Sequence, residues 1–276
     1  MVTYFSKIGA VGLHTISHTT SAISSQETFY NELSKEKENF RILAEVTDIK
    51  GSRAPYLQPN QGYFNVLSKL GLLYDSSMMD GFSSDDPSKR IGYWPFTLDF
   101  GVPESRLCNI YDSTSCPTSI HRGLWEVPLV SFTSDSPSSL MDYEILDNDY
   151  DIVMAKMKLN FLETYQKNKV PRGFYVHHRY FSNNGDFDSL QVIRAKFANE
   201  FFIWLSSHFQ DVVFATEDQV INWIKNPQTI SQIKADSAWA CVNYESSPEN
   251  ACQAGMKECH HYPSFNFFRK TNPFFL

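Results

Sequence analysis

Ile8-Gly9-Ala10-Val11-Gly12-Leu13-His14-Thr15-Ile16-Ser17-His18 is a short apolar run that ends in two imidazoles four positions apart. Residues 8–13 read as a buried strand. Two histidines at this spacing meet on one side of a helical turn, or at the bend where a strand runs into one. Either geometry can point two neutral nitrogens at one divalent cation. The spacing alone is a weak signal, because many such pairs are exposed helix residues or polar caps of a strand end. The strand in front of it sharpens the signal, since barrel enzymes place their chemistry at the carboxyl ends of strands. A third ligand, a base and an acid then have to come from elsewhere in the chain.

Outward from that run, strand and helix alternate. Ser24-Ser25-Gln26-Glu27 is a helix-opening pattern, and Phe29, Leu33, Phe40 and Leu43 follow at helical spacing. Glu32, Lys35, Glu36, Lys37 and Glu38 make the wet face of that helix. Lys50 to Tyr56 turns at a strand end, because Pro55 stops any ladder. Tyr63 to Leu70 predicts a short helix ended by Gly71, and Leu72-Leu73-Tyr74 a buried strand that delivers Asp75. Tyr93 to Phe100 and Leu124 to Val130 read as strands. Tyr150 to Gln166 reads as a helix with Ile152, Met154, Met157, Leu159 and Leu162 among its apolar positions. Phe174-Tyr175-Val176 predicts a buried strand that delivers His177. A helix over about Ser189 to Phe209, a strand Val212 to Ala215 and a helix Asp218 to Ile224 follow. This alternation is the signature of a parallel sheet, closed into a barrel or doubly wound. The expected division is a barrel over residues 1–226 and a tail over 227–276 that carries Cys241, Cys252 and Cys259 and wraps it.

At 276 residues the chain can bury one large core. A formal net charge of -7 argues against a nucleic-acid partner and suits a neutral glycan better. The 14 Tyr and 22 Phe are explained by core packing, with sugar-stacking platforms as the alternative. No apolar run is long enough to span a membrane, and no basic region followed by an apolar one marks a leader. Cys108 and Cys116 lie in a loop rich in Ser, Thr and Asp, which suggests a disulfide and an oxidising, extracellular compartment. The count of five leaves one cysteine without a partner in the chain. His121, His208, His260 and His261 read as surface residues, and Trp94, Trp125 and Glu126 as structural ones.

Four motifs stand in order: His14-Thr15-Ile16-Ser17-His18, Arg53-Ala54-Pro55-Tyr56, Tyr74-Asp75-Ser76-Ser77 and Tyr175-Val176-His177. In order and spacing they resemble the polysaccharide deacetylases of carbohydrate esterase family four. Trp94-Pro95-Phe96-Thr97-Leu98-Asp99, Cys116-Pro117-Thr118, Leu124-Trp125-Glu126-Val127-Pro128 and Asn222-Trp223-Ile224 resemble the chitin deacetylase-like proteins of arthropods and other invertebrates in particular. The resemblance implies an α/β fold, a distorted (β/α) barrel. The family's first motif, Thr-Phe-Asp-Asp on the first barrel strand, supplies the general base and the third metal ligand. No such segment precedes His14, and Thr3-Tyr4-Phe5-Ser6 resembles the family's second strand. The resemblance therefore implies a truncated start and a barrel incomplete because its first strand is missing.

The same resemblance implies roles. His14 and His18 are ligands of a divalent ion, Zn²⁺ in the first place, weakly held without the missing Asp. Arg53 orients the base, and Asp75 orients Arg53 through a bidentate pair; an ordinary buried ion pair is the bland alternative. Tyr56 is a groove wall whose backbone N–H serves the oxyanion. His177 is the general acid, and Tyr175 stands beside the substrate where the motif usually has Leu. The expected function is metal-dependent removal of N-acetyl groups from chitin or a related N-acetylglucosamine polysaccharide, with this chain inactive as written. The alternative is a non-catalytic extracellular glycan-binding or matrix protein on the same fold. A glycoside hydrolase would need two carboxylates on strand ends ~5–10 Å apart, where these motifs place histidines.

Overall fold

The computed structural model of the chain describes residues 6, 9–20, 24–80, 92–108, 116–131, 149–177, 180–181 and 189–239. Short strands and amphipathic helices alternate through its first third: β1 (Gly12–Leu13), α1 (Gln26–Ala44), β2 (Gly51–Ser52), α2 (Gln61–Lys69) and β3 (Tyr74–Asp75). After these come β4 (Met79–Asp80), β5 (Phe96–Thr97), β6 (Trp125–Glu126) and β7 (Leu129–Val130). The main sheet has the order β1-β2-β3-β6-β5, and β4 pairs with β7 in a second, smaller one. β1, β2, β3 and β6 run parallel and β5 is antiparallel, so the fold is α/β as expected. Among the described residues the main sheet has β1 and β5 at its two ends.

Register places Leu13, Ser52, Asp75 and Glu126 in one row across the sheet, and Gly12, Gly51, Tyr74 and Trp125 in the other. The first row faces a core built with α1 and α2, in which Leu13, Phe29, Leu33, Tyr63, Phe64 and Leu67 are buried. Each such side chain removed from water stabilises the fold by about 1.5–3 kcal/mol before entropy is counted. Ser25 caps α1 by accepting from the Thr28 N–H, and Glu45 ends it in a left-handed conformation. Asn60 caps α2 by accepting from the Tyr63 N–H, and Gly71 follows that helix at φ +68°. Leu43, expected on the apolar face of α1, is 80% exposed, and Ala44 takes the buried place beside it.

One irregularity in the sheet positions the site. Between the paired positions Asp75↔Glu126 and Met79↔Leu129 the first strand advances four residues and the second three. The extra residue is a bulge over Ser76-Ser77-Met78, opposite Val127-Pro128. It leaves the Met78 N–H without a ladder partner, and a Glu126 carboxylate oxygen accepts it at 2.9 Å. Bulges bend a strand and re-aim side chains, and this one turns Ser76 and Ser77 toward the end of β2.

A second core lies between α3 (Tyr150–Lys167) and α4 (Ser189–His208). Val153, Met154 and Met157 pack against Phe197, Ala198, Phe201 and Leu205, while Ile152 and Leu159, though apolar, are exposed. The buried face of α3 also includes Asn160, whose spacing from Val153 and Met157 sets the helix's roll. Phe174-Tyr175-Val176 and Val212 to Ala215 form no ladder among the described residues. The first is anchored by side chains instead: Phe174 sits in the aromatic cluster of α3 and α4, and Tyr175 against Met79 and Leu129. Beyond α5 (Glu217–Lys225), whose Ile221 packs on Tyr74 and Trp125, order continues past residue 226 into α6 (Ile230–Ala235). Cys108 and Cys116 form the expected disulfide, Cα atoms 4.9 Å apart. Cys241, Cys252, Cys259, His260, His261 and Thr3 to Phe5 lie outside the described residues. No helix among the described residues is long and apolar enough to cross a membrane.

Candidate functional site

β1 ends at Leu13, and the loop that follows turns back on itself through two left-handed residues, Thr15 (φ 66°) and His18 (φ 51°). That backbone brings the Nε2 atoms of His14 and His18 to 3.1 Å. The His14 Nδ1–H donates to the Arg53 carbonyl oxygen at 2.8 Å, which leaves His14 Nε2 as a lone-pair donor. Burial, reinforced by the nearby His18, Arg53 and His177 and opposed by the Arg53 carbonyl, lowers the His14 pKa and favours its neutral ring.

The loop is held from α1. The Glu36 carboxylate accepts the His14 N–H (3.0 and 3.2 Å to its two oxygens) and the Thr15 N–H (2.9 Å). One turn earlier, Glu32 accepts the Ser17 N–H at 2.6 Å. Glu36 is buried, and that burial, partly offset by the two N–H bonds, raises its pKa. Reading the whole charge run as solvated surface is therefore wrong at Glu36. A signal was available: 36 completes the 29, 33, 40 spacing of the apolar face, and a carboxylate in that slot needs donors.

β2 delivers Arg53 and the turn after it. Arg53 Nε donates to the Ser76 carbonyl at 2.7 Å, and its Nη2 to Ser76 Oγ at 2.9 Å. The guanidinium thus rests on Ser76 rather than in a bidentate pair with Asp75, because the bulge presents the serine instead. Asp75 turns into the core, where Tyr63, the Ser77 hydroxyl and the Ser77 N–H surround it, and acts on Arg53 only through its charge. Tyr56 and Leu57 are both left-handed (φ 58° and 54°), which turns the Tyr56 ring outward, 58% exposed, to within 4.6 Å of the His18 ring. The Arg53 guanidinium lies 5.0 Å from the centre of the Tyr175 ring. His177 is exposed at the end of the same segment and close enough for its charge to act on His14.

Six of the seven residues singled out in the sequence, His14, His18, Arg53, Tyr56, Tyr175 and His177, therefore meet at one mouth of the sheet, and Asp75 supports them from behind. Sequence reasoning missed Glu32, Glu36, Ser76 and the roles of Ser77 and Tyr63. His121 is not a surface residue: it is buried, with Nδ1 2.9 Å from Ser68 Oγ and Nε2 beside Gln61. His208 is exposed and bonds the Trp204 carbonyl at the end of α4.

The donor set suits a divalent ion in part. Two imidazole nitrogens sharing a tetrahedral zinc stand about 3.3 Å apart, close to the observed separation. Among the described residues no cluster of three or more His, Cys, Asp or Glu is placed to hold a metal.

No family model matches the chain. It is 26% identical over 248 residues to Chitin deacetylase 1 of Bombyx mori, covering 83% of this chain and 42% of that protein. It is 28% identical over 236 residues to Chitin deacetylase 8 of the same organism, covering 81% of this chain and 57% of that protein. The chain thus spans about half the length of these relatives. A crystal structure of a polysaccharide deacetylase from Mycobacterium smegmatis superposes with a TM-score of 0.52 at 19% identity, over 81% of this chain and 66% of that one. These likenesses support assignment to a deacetylase family, and the fold is of the polysaccharide deacetylase type.

Proposed function

We propose that this chain, assigned to the polysaccharide deacetylases by those likenesses, is a deacetylase-type domain that engages chitin or a related N-acetylated glycan. The observation that carries the reading is the 3.1 Å approach of two Nε2 atoms beside Arg53, Tyr56, Tyr175 and His177. His14 and His18 would hold a divalent ion, Zn²⁺ by the softness of two imidazoles. When bound, such an ion lowers the pKa of water and polarises an acetyl carbonyl. Tyr56 gives an exposed ring face for a sugar, Arg53 fixes the direction of a carboxylate or carbonyl, and His177 holds a proton for the leaving amine. The disulfide supports an extracellular destination, and the net charge of -7 supports a neutral glycan over a nucleic acid.

The 276 residues by themselves are proposed to bind metal weakly and to leave the amide bond intact. Among the described residues no third His, Cys, Asp or Glu is placed with the paired imidazoles to complete a metal site. Two imidazoles alone make a shallow hold on a cation. The second reading, a non-catalytic glycan-binding protein, is favoured by the same two-donor set. Acetate release from N-acetylchitooligosaccharides by the purified chain, with and without added Zn²⁺, separates these readings, alongside calorimetric binding of the same sugars. Sugar binding without acetate is the expected result. Acetate release above background overturns the inactive state, and the loss of both sugar and metal binding overturns the whole reading.

A further inference from the structure

We propose that Glu36, seconded by Glu32, is the positioning residue that sets the two imidazoles at metal-binding distance. This rests on the reading of His14 and His18 as metal ligands. Neither carboxylate touches a ring; both act through the backbone between the rings. Glu36 takes two successive N–H groups, of His14 and Thr15, and Glu32 takes the Ser17 N–H three residues on from His14. The two glutamates are one turn apart on α1, so a single helix face grips the loop at both ends.

The loop does not hold this shape by itself. Thr15 is β-branched and left-handed, a conformation that L side chains resist. Its own hydroxyl is buried with no hydrogen-bond partner, so it contributes nothing to the turn. A strained residue persists only where its surroundings over-determine it, and here the surroundings are two carboxylates accepting amide hydrogens. The buried charge of Glu36 is compensated by those same amides, which makes the bonds charge-assisted and directional. Without them Thr15 relaxes toward an ordinary conformation, and the rotation separates the Nε2 atoms. With them, His14 Nε2 points across at His18 before any cation arrives.

The test uses the whole chain with Glu36→Ala, Glu36→Gln, Glu32→Ala and Glu32→Gln. Co²⁺ is titrated by its visible absorption, and imidazole ¹⁵N spectra are recorded on the metal-free protein. Glu36→Ala is expected to weaken Co²⁺ binding by about 10-fold, as lost outer partners of metal ligands do, and to shift the His14 and His18 ring signals. The exposed His208 on α4 stays unshifted as an internal control. Glu36→Gln, which keeps one acceptor for two amides, falls between. Glu32→Gln keeps its acceptor and behaves as the parent, while Glu32→Ala weakens binding less than Glu36→Ala. A folded Glu36→Ala protein with parental Co²⁺ affinity and unshifted ring signals overturns the proposal. Should Glu36→Ala not fold, the Glu32 pair decides: equal affinities and equal ring spectra for Glu32→Ala and Glu32→Gln overturn it. If the parent chain binds no Co²⁺, the metal reading fails, and the ring spectra alone then confirm or overturn the positioning.

Discussion

Asp75 and Glu126 are register partners on the parallel strands β3 and β6, and both side chains are 0% exposed. Asp75 is surrounded by donors from Tyr63 and Ser77, whereas Glu126 Oε2 has no partner apart from the neighbouring carboxyl. Two carboxylates side by side in a core cannot both ionise, and a shared proton gives Oε2 its bond. Asp75, which has more hydrogen-bond donors, keeps the charge and Glu126 keeps the proton. Burial first, then the Asp75 charge, raises Glu126 well above the ordinary carboxyl range. The neutral Glu126 spans the bulge by accepting from Met78 N–H while it faces Asp75, and the bulge in turn seats Arg53 on Ser76.

This arrangement fixes the sign of a pH dependence. Above the ordinary Glu value of 4.5 the unfolded chain loses the Glu126 proton and the folded chain keeps it. The folded state then binds more protons, so this group's contribution to stability falls as pH rises. Glu126→Gln donates to Asp75 from its amide and cannot ionise. Its stability relative to the parent is expected to climb as pH rises above the ordinary Glu value of 4.5, at up to about 1.4 kcal/mol per pH unit, and to be read as a rising difference in melting temperature. Parallel melting curves for the two proteins across that range would show that the pair does not share a proton.

Tyr63 closes the same network from α2. Its hydroxyl lies 2.8 Å from Asp75 Oδ1 and 2.8 Å from Ser52 Oγ, and its single proton goes to the carboxylate. Tyr63→Phe keeps the ring against Phe29, 5.3 Å between centres, and removes only the hydroxyl with its contacts to Asp75 and Ser52. The expected loss is about 2 kcal/mol, the worth of a buried bond to a charged group. It is read as a lower urea midpoint at an unchanged slope; an unchanged midpoint would mean the hydroxyl is dispensable.

How far the sequence discloses this protein follows from what each feature depends on. α1, α2 and β3 are legible because hydrophobic period, cap residues and Gly71 are local properties. The six residues at the mouth are legible because their motifs sit just past predicted strand ends. Glu36 was hidden by its neighbours: Lys35, Lys37 and Glu38 make the run look solvated, and only the gap in the Phe29-Leu33-Phe40 spacing marks it. The bulge is invisible from the sequence, because it is a mismatch in count between two paired strands. For that reason the motifs point to Asp75 as the partner of Arg53, whereas the guanidinium bonds Ser76. Phe174 to Val176 reads as a strand because its apolar run is real, yet Phe174 and Val176 pack on the core of α3 and α4 and Tyr175 on Met79 and Leu129, with no ladder among the described residues.

Cys108 is buried in the first core, and its bond to Cys116 closes a loop with a sequence separation of 8. A loop of that size restricts the unfolded chain by about 2.5 kcal/mol. The Cys108→Ser/Cys116→Ser double variant should lose about that much in chemical denaturation, and a reducing agent should bring the parent to the same midpoint. Reduction without effect on the midpoint would show that the link is not formed in solution.

Thr15 carries two costs at one position, a left-handed backbone on a β-branched residue and a buried hydroxyl without a partner. Two substitutions take them apart. Thr15→Val keeps the branch and the strain but removes the hydroxyl, so it should stabilise only by what that orphaned group costs. Thr15→Asn keeps a polar group but tolerates the left-handed region, which costs a branched residue about 1–2 kcal/mol. If backbone strain dominates, Thr15→Asn is the more stable of the two, by about 1 kcal/mol over the parent, and the Glu36 and Glu32 bonds to the loop survive as amide protons slow to exchange. If Thr15→Val gains more, the hydroxyl is the larger cost and the backbone is at ease. Thermal melts of the three proteins rank them directly, and a loss of stability in both variants would mean that Thr15 is not strained at all.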